Sequence, residues 1–333
     1  MNSNTEYDVL CVGNAIVDIL ARCDDDFLVA NGIVKGAMNL IDAERAELLY
    51  ERMGPAIEAS GGSAGNTAAG IASFGGRTAF FGKVADDHLG KLYRHDIRAQ
   101  GVAFDTDPLA GTPPTARSMI FVTPDGERSM NTYLGACVEL GPVDVEENKA
   151  SGAKVTYFEG YLWDPPRAKE AIRLSAEAAH AAGREVSMTL SDAFCVDRYR
   201  EEFLELMRSG TVDIVFANES ELKSLYQTSS FEAGLEAIRK DCRLAAVTRS
   251  EKGSVIVRGE ETVEVEAMAI DKLVDTTGAG DLYAAGFLFG YTSGRSLADC
   301  GRLGSFAAGL VIQQIGPRPQ CDLRQEAAQA GLL

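Results

Sequence analysis

Residues 275–287 read DTTGAGDLYAAGF. Gly278, Ala279 and Gly280 are small enough for their backbone N–H groups to approach a ligand closely. The apolar, helix-compatible run that follows places them at a helix N-terminus, where free N–H groups and the helix dipole attract an anion. Asp281 sets a second negative charge in the mouth of that cradle. By themselves these residues allow two readings. Asp281 is a first-turn helix acid behind a glycine turn, or the anion in the cradle is a phosphoryl group in transit to an alcohol. In the second case backbone donors hold the phosphoryl charge while the carboxylate accepts the alcohol's proton. A Walker P-loop would read GxxxxGK[ST], and no stretch of the chain matches it.

The 333 residues, 46% of them hydrophobic, suffice for one large domain or a domain with an insertion. Against 49 acidic residues stand 32 basic ones, a formal net charge of −17. A polyanionic partner, nucleic acid or an anionic membrane surface, would be repelled. The N-terminal stretch has no basic segment followed by an apolar one, so no secretory leader is expected, and no apolar run is long enough to span a bilayer. Cysteines at 11, 23, 137, 195, 242, 300 and 321 form no CxxC pair, which fits reduced thiols in the cytoplasm. His88, His95 and His180 do not cluster with them, which argues against zinc.

YDVLCVG, TAFFGKV, VTYFEGYL, EVSMTLS, VDIVFAN and LAAVTRS read as short buried strands, each ending at a polar residue or glycine. Helical patterns lie between them: SAGNTAAGIASFG, PRAKEAIRLSAEAAHAAG, ESELKSLYQ and FEAGLEAIRKD. This alternation predicts an α/β domain with a mostly parallel sheet flanked by helices. Residues 15–45 and 112–136 break the rhythm with alternating strand patterns, the second around a hairpin at TPDGER. They are expected to form a small β-sheet lid inserted in a single domain spanning 1–333. Ligands in such sheets bind beyond the carboxyl ends of the strands.

Several polar residues stand at those ends. In NESE, Asn218 and Glu221 have the spacing of a capping box. In GNAIVDI, Asn14 and Asp18 read as a turn asparagine and an exposed acid, or as a pair binding a vicinal diol. GGSAGN (61–66) also matches the G-x-S-x-G elbow of serine hydrolases. That elbow needs a preceding strand, and ERMGPAIEAS does not read as one; it also needs a late histidine, and His180 lies in an alanine-rich helix. Arg128 in the hairpin sequence GERS reads as an exposed arginine or as a group able to reach a phosphate.

DTTGAGD and, earlier in the chain, GGSAGNTAAGIASFGG (61–76) resemble the two signatures of the ribokinase-like (PfkB-type) carbohydrate and nucleoside kinases, and the likeness runs from VGNAIVDI to VIQQIGPRPQ. The resemblance implies Asp281 as the catalytic base and Gly278, Ala279 and Gly280 as the anion hole. It implies Gly62, Ser63 and Asn66 as contacts to substrate hydroxyls, and Glu221 as a water-mediated magnesium group beside Asn218. Thr248 and Gly253 in VTRSEKGS, where Arg249 replaces the usual small residue, are implied as ATP contacts, with Ser305 on the adenine side. The terminal loop implies a potassium site at Asp275, Thr277, Val311, Gln314, Gly316 and Gln320.

GNAIVDI resembles the adenosine-kinase branch, in which the residues matching Asp18 and Asn14 hold the ribose. Ser63 stands where ribose kinases carry lysine, and LSDAFCVDRY resembles the segment that brings a phenylalanine onto the purine. Phe194 is the candidate, with a core position as its alternative. The expected activity is ATP- and Mg²⁺-dependent phosphorylation of a nucleoside 5′-hydroxyl, adenosine first. A ribose- or fructose-type sugar kinase, an inosine or guanosine kinase, and a non-catalytic nucleoside-binding protein are the alternatives. Monomer and homodimer both stay open.

Overall fold

The computed structural model describes residues 5–333; the first four residues of the stretch searched for a leader lie outside the described residues. The strands are β1 (Tyr7–Val12), β2 (Ile16–Arg22), β3 (Met38–Leu40), β4 (Ala56–Ser60), β5 (Thr78–Phe81), β6 (Ala116–Val122), β7 (Arg128–Tyr133), β8 (Ala153–Glu159), β9 (Glu185–Thr189), β10 (Ile214–Asn218), β11 (Leu244–Thr248), β12 (Ser254–Arg258) and β13 (Glu261–Val265). Eight of them form one sheet in the order β13-β12-β11-β10-β9-β8-β1-β5. The pairs from β5 to β11 are parallel, whereas β12 and β13 run antiparallel at the edge.

Successive side chains on β1 point to opposite faces of this sheet. Val9 and Cys11 enter one core, Leu10 and Val12 the other, and all four are essentially buried. The first core is closed by helices α3 (Ser63–Ser73), α10 (Ala279–Thr292) and α11 (Leu297–Val311), and reaches α12 (Leu323–Gln329). The second is closed by α5 (Glu147–Gly152), α6 (Pro166–Ala181), α7 (Ala193–Arg208), α8 (Glu219–Leu225) and α9 (Phe231–Asp241). Helix α10 is apolar nearly all round, with Leu282, Tyr283, Phe287 and Leu288 buried, because it is clamped between α3, α11 and the sheet. Phe287 crosses Phe216 of β10 edge-on at 5.3 Å between centroids and so fixes α10 to the sheet centre.

A second sheet of five strands, in the order β3-β7-β6-β2-β4, projects from this domain. It draws strands from 16–22, 38–40, 116–122 and 128–133, and also from 56–60. Its Ile19, Met119 and Phe121 point into a core shared with Leu28 of α1 (Asp25–Ala30) and Leu49 of α2 (Ala43–Arg52). The opposite face carries Asp18, Leu20, Ile57, Ile120, Met130, Met38 and Leu40, as the register of the paired strands requires.

Two elements depart from the sequence expectation. Residues 56–60 of ERMGPAIEAS do form a strand, with β4 pairing antiparallel to β2 from Ala56 to Ser60. As an edge strand it keeps Ile57 and Glu58 outside the core, so the alternation that marks a buried strand is missing. The β12–β13 hairpin, SVIVRGEETVEV, was likewise not foreseen as strand.

The α10 anchor has a measurable cost of removal. Phe287→Ala is expected to lower unfolding free energy by about 3–5 kcal/mol, the range for truncating a buried aromatic, read from the denaturant midpoint at unchanged slope.

Candidate active site

Gly278 is the N-cap of α10 and has φ +79°, a left-handed conformation in which a Cβ would lie 2.7 Å from Pro317. The chain therefore needs glycine here both for its backbone angle and for close packing. The N–H of Ala279 donates to Thr276 O at 3.2 Å, whereas those of Gly278 and Gly280 meet no acceptor among the described residues. Open space lies where a Gly280 Cβ would stand. The anion cradle thus has two free donors at a helix N-terminus, and Ala279 contributes mainly by closing the turn.

Asp281 occupies the first turn of α10. The Ser63 hydroxyl donates to its Oδ1 at 2.6 Å and Asn66 Nδ2 to its Oδ2 at 2.9 Å. Both partners lie on the first turn of α3, and Thr67 Oγ1 donates to the Asp281 carbonyl at 3.2 Å, so the helix starts of α3 and α10 are locked together. Burial raises the Asp281 carboxyl above the ordinary range, while the donors from Ser63 and Asn66 and the charge of Arg318 pull it back. The net direction is upward, so the Asp281 carboxylate is a better proton acceptor than an ordinary aspartate.

The glycine pair before α3 exists for the strand opposite. A Cβ on Gly61 would stand 2.3 Å from Asp18 Oδ2, and one on Gly62, at φ +82°, 2.1 Å from the Asn14 carbonyl. Asp18 on β2 is 8% exposed, and burial pushes its carboxyl up to about 7 against the pull of Arg318 and Arg128. Asn14 donates through its backbone N at 3.0 Å and Nδ2 at 2.8 Å to Glu159 Oε1, leaving its Oδ1 buried and unpartnered. A buried polar atom with no partner inside a polar cleft marks a place prepared for a ligand. Asn14, Asp18, Gly62, Ser63, Asn66 and Asp281 are thereby brought to one cleft between the sheets.

Arg128 is not an exposed hairpin arginine. It reaches from β7 to ion-pair with Asp275, with 9% of its side chain exposed and Nη1 unpartnered. The Asp275 carboxylate also accepts the N–H of Thr277 at 3.0 Å and of Gly316 at 2.9 Å. This bears on potassium: Asp275 is already neutralised by a guanidinium, Gln314 spends its amide on Arg318 O and the Gln320 N–H, and Gln320 donates to Ile315 O. Thr277, Val311 and Gly316 add no side-chain charge, so the set does not present an uncompensated anion to a cation.

Where β10 passes into α8, Asn218 and Glu221 form the capping box: Asn218 N donates to Glu221 Oε2 at 2.9 Å, its Nδ2 to Oε1 at 2.6 Å, and Glu221 N to Asn218 Oδ1 at 2.8 Å. Glu221 is 5% exposed, and burial raises its carboxyl to about 7. With both oxygens engaged, Glu221 fits an ion held through water and not a direct ligand. Among the described residues no cluster of three or more His, Cys, Asp and Glu could hold a metal. Thr248 ends β11 beside Asn218. Gly253, at φ +79°, is required because a Cβ would stand 2.0 Å from Val265 O, and Ser305 Oγ is spent bridging Glu266 O and Met268 N. The Arg249 guanidinium carbon lies over the Phe231 ring, 3.8 Å from its centroid, and the side chain pairs with Glu219.

Phe194, on the first turn of α7, is 76% exposed, so the core alternative for it is excluded. The strand β4 before GGSAGN removes one argument against a hydrolase, yet the chemistry is still absent. Ser63 spends its proton on Asp281, and His180 pairs with Asp213 at 3.0 Å. Two residues at the cleft escaped the sequence reading. Glu159, at the carboxyl end of β8, holds Asn14 and also accepts the Ala64 N–H at 2.8 Å, tying β1 to α3. Arg318 reaches Asn66 at 3.2 Å. A charged residue ending a buried strand was the available sign for the first; nothing in its local sequence marks the second.

A carboxylate at a helix N-terminus with open N–H donors, facing a cleft under a second sheet, is an arrangement able to hold an anion beside a proton acceptor. The chain belongs to the pfkB family of carbohydrate kinases, whose pattern matches residues 36–323. It is 30% identical over 348 aligned residues to adenosine kinase 2 of Arabidopsis thaliana, covering 95% of this chain and 97% of that one. The fold of an adenosine kinase from Sinorhizobium meliloti is similar at TM-score 0.94 and 72% identity over 98% of this chain and 99% of that one. A probable sugar kinase from Rhizobium etli CFN 42 matches at TM-score 0.95 and 69% identity, covering 99% and 100%. The protein is an ATP-dependent kinase. No helix among the described residues is long and apolar enough to cross a membrane, and all seven cysteines are free.

Asp18, Glu159 and Glu221 each have a carboxyl raised to about 7, above their values in an unfolded chain. Their contribution to stability is therefore complete below about pH 4 and is lost progressively as pH rises from there through 7. Thermal melts of the ligand-free protein should show Tm falling between about pH 4 and pH 7, with a shallower fall in Asp18→Asn. A Tm that rose over that interval by the same amount in both proteins would contradict the assignment.

Proposed function

We propose that this kinase transfers the γ-phosphoryl group of ATP to the 5′-hydroxyl of a nucleoside, adenosine foremost. The observation that carries the transfer is Asp281, braced by Ser63 and Asn66 beside the open N–H groups of Gly278 and Gly280. The hydroxyl lies against Asp281, which takes its proton, while the two N–H groups receive charge on the phosphoryl oxygens. Asp18 accepts the ribose diol and Asn14 Oδ1 a further hydroxyl. Glu221 is the residue that would hold a bound Mg²⁺, through water, and the ion would supply neutralisation of phosphate charge. Thr248 lies along the nucleotide edge. Potassium has no step in this account.

The base of the acceptor is supported by the lid. The face that carries Asp18 also carries Met38, Leu40 and Ile57, all exposed. A purine presents an apolar face to such a wall, and a free sugar does not. The 72% identical adenosine kinase points the same way, whereas the 69% identical probable sugar kinase keeps a ribose- or fructose-type acceptor as the second reading. The segments 15–45 and 112–136, with β4, act as a lid on one domain, and the free cysteines support work in the cytoplasm.

Asp281→Asn should bind both substrates yet lose about 10²- to 10⁴-fold in kcat, the usual worth of a general base. Wild-type turnover in that variant would refute the transfer mechanism. The acceptor is decided by comparing adenosine, inosine, guanosine, ribose and fructose. Adenosine is expected to be phosphorylated at micromolar KM, and exclusive turnover of ribose or fructose would move the protein to the sugar branch. Phe194→Ala should raise the adenosine KM about tenfold, since stacking on a base contributes ~1–3 kcal/mol. An unchanged KM removes Phe194 from the site.

A further inference from the structure

Arg318 stands in the loop IGPRPQ, between two prolines and far from any signature. Its side chain leaves that loop and enters the junction where lid strand β4 passes into α3. Nη1 donates to Ser60 Oγ and, at 3.4 Å, to Gln100 Oε1; Nη2 donates to Gly61 O at 3.3 Å; Nε donates to Asn66 Oδ1 at 3.2 Å. The guanidinium lies 5.9 Å from the Tyr93 ring, and Tyr93 OH donates to the same Gly61 carbonyl.

The contact with Asn66 has a consequence at the base. An amide has one acceptor and one donor end. With Oδ1 turned to a guanidinium, Nδ2 must face the opposite way, and it donates to Asp281 Oδ2 at 2.9 Å. The reverse orientation would set two oxygens against each other and a donor against a cation. We propose that Arg318 is a positioning residue of the phosphoryl transfer, fixing the Asn66 amide toward Asp281 and setting the positive charge that acts on that base. The inference rests on Asp281 serving as the base.

The groups facing Asp281 are Ser63, Asn66 and Thr67 from α3, Tyr157 and Glu159 from β8, Asp18 from β2, and Arg318. Glu159 and Asp18 are acids, so they favour the protonated form of Asp281; Arg318 is the cation that opposes them. Arg318 itself is faced by Tyr93 and Asp96 of α4 (His88–Ala99), by Gln100 and by Asp18. Removing its charge raises the proton affinity of Asp281. The acid limb of the rate profile then moves to higher pH, because only the ionised base is active.

The test uses Arg318→Met and Arg318→Lys in the full chain, with kcat/KM for the acceptor measured from pH 5 to pH 9. Arg318→Met should displace the acid limb upward by about one unit and lower kcat about tenfold or more, with the ATP KM little changed. Arg318→Lys, which keeps the charge, should leave the limb in place. A limb unmoved in folded Arg318→Met, or moved equally in both variants, overturns the proposal, since a merely structural role lowers Tm without that distinction. Should Arg318→Met not fold, a cycle of Arg318→Lys with Asn66→Ala decides. Because Arg318 acts through Asn66, the two losses in kcat should not multiply, and independent losses reject it. Asp281→Asn separates the two levels. If it is inactive while Arg318→Met is silent, only the role of Arg318 falls; if it retains full turnover, the base falls and Arg318 with it.

Discussion

A carboxylate must stay charged in a recess where water is scarce, and the molecule is arranged around that requirement. Burial alone favours the protonated form of Asp281. Ser63 and Asn66 offset this with two donors from the first turn of α3, and the start of α10 is held against them by Thr67. The two helices meet at their positive ends, so the backbone N–H groups that would welcome a phosphate and the side chain that would take a proton share one turn. The packing of Phe287 on Phe216 is therefore a condition of the chemistry as well as of stability, because it sets where α10 begins relative to the sheet.

The second sheet is attached to this centre by close approach. Gly61 and Gly62 let the chain pass within contact of Asp18 and of the Asn14 carbonyl, and Glu159 ties Asn14 to the Ala64 N–H. A ligand between the sheets thus meets groups fixed by both. Arg128 adds a contact of another kind: it crosses from β7 to Asp275, joining the lid to the loop that precedes the anion cradle. Its pair with Asp275 is made through Nη2 and its Nη1 is unpartnered, so an incoming anion would share one guanidinium with Asp275.

Where each residue's role is local, it could be read from the sequence. The capping box of Asn218 and Glu221, the parallel strands ending in polar residues, and the helix opening at Gly278 all follow from spacing a few residues long. Strand β4 escaped because an edge strand needs no alternation, and AIEAS keeps Ile57 in solvent. The ion pair of Asp275 left no sign in the sequence, because its partner, Arg128, is distant in the chain and lies on the second sheet. Arg318 escaped for the same reason: Asn66 lies 252 residues away, and no local pattern encodes that pairing.

The Cys137 thiol lies where the lid is rooted. It is 1% exposed and donates to the carbonyls of Ala15 at 3.4 Å and Lys83 at 3.8 Å, one beside β2 and the other beyond β5. Burial holds it protonated, and only a thiolate reacts readily with alkylating agents. Its modification therefore requires the root to part and admit water. The rate at which Cys137 is labelled is a clock for that opening, built into the native chain without any added probe.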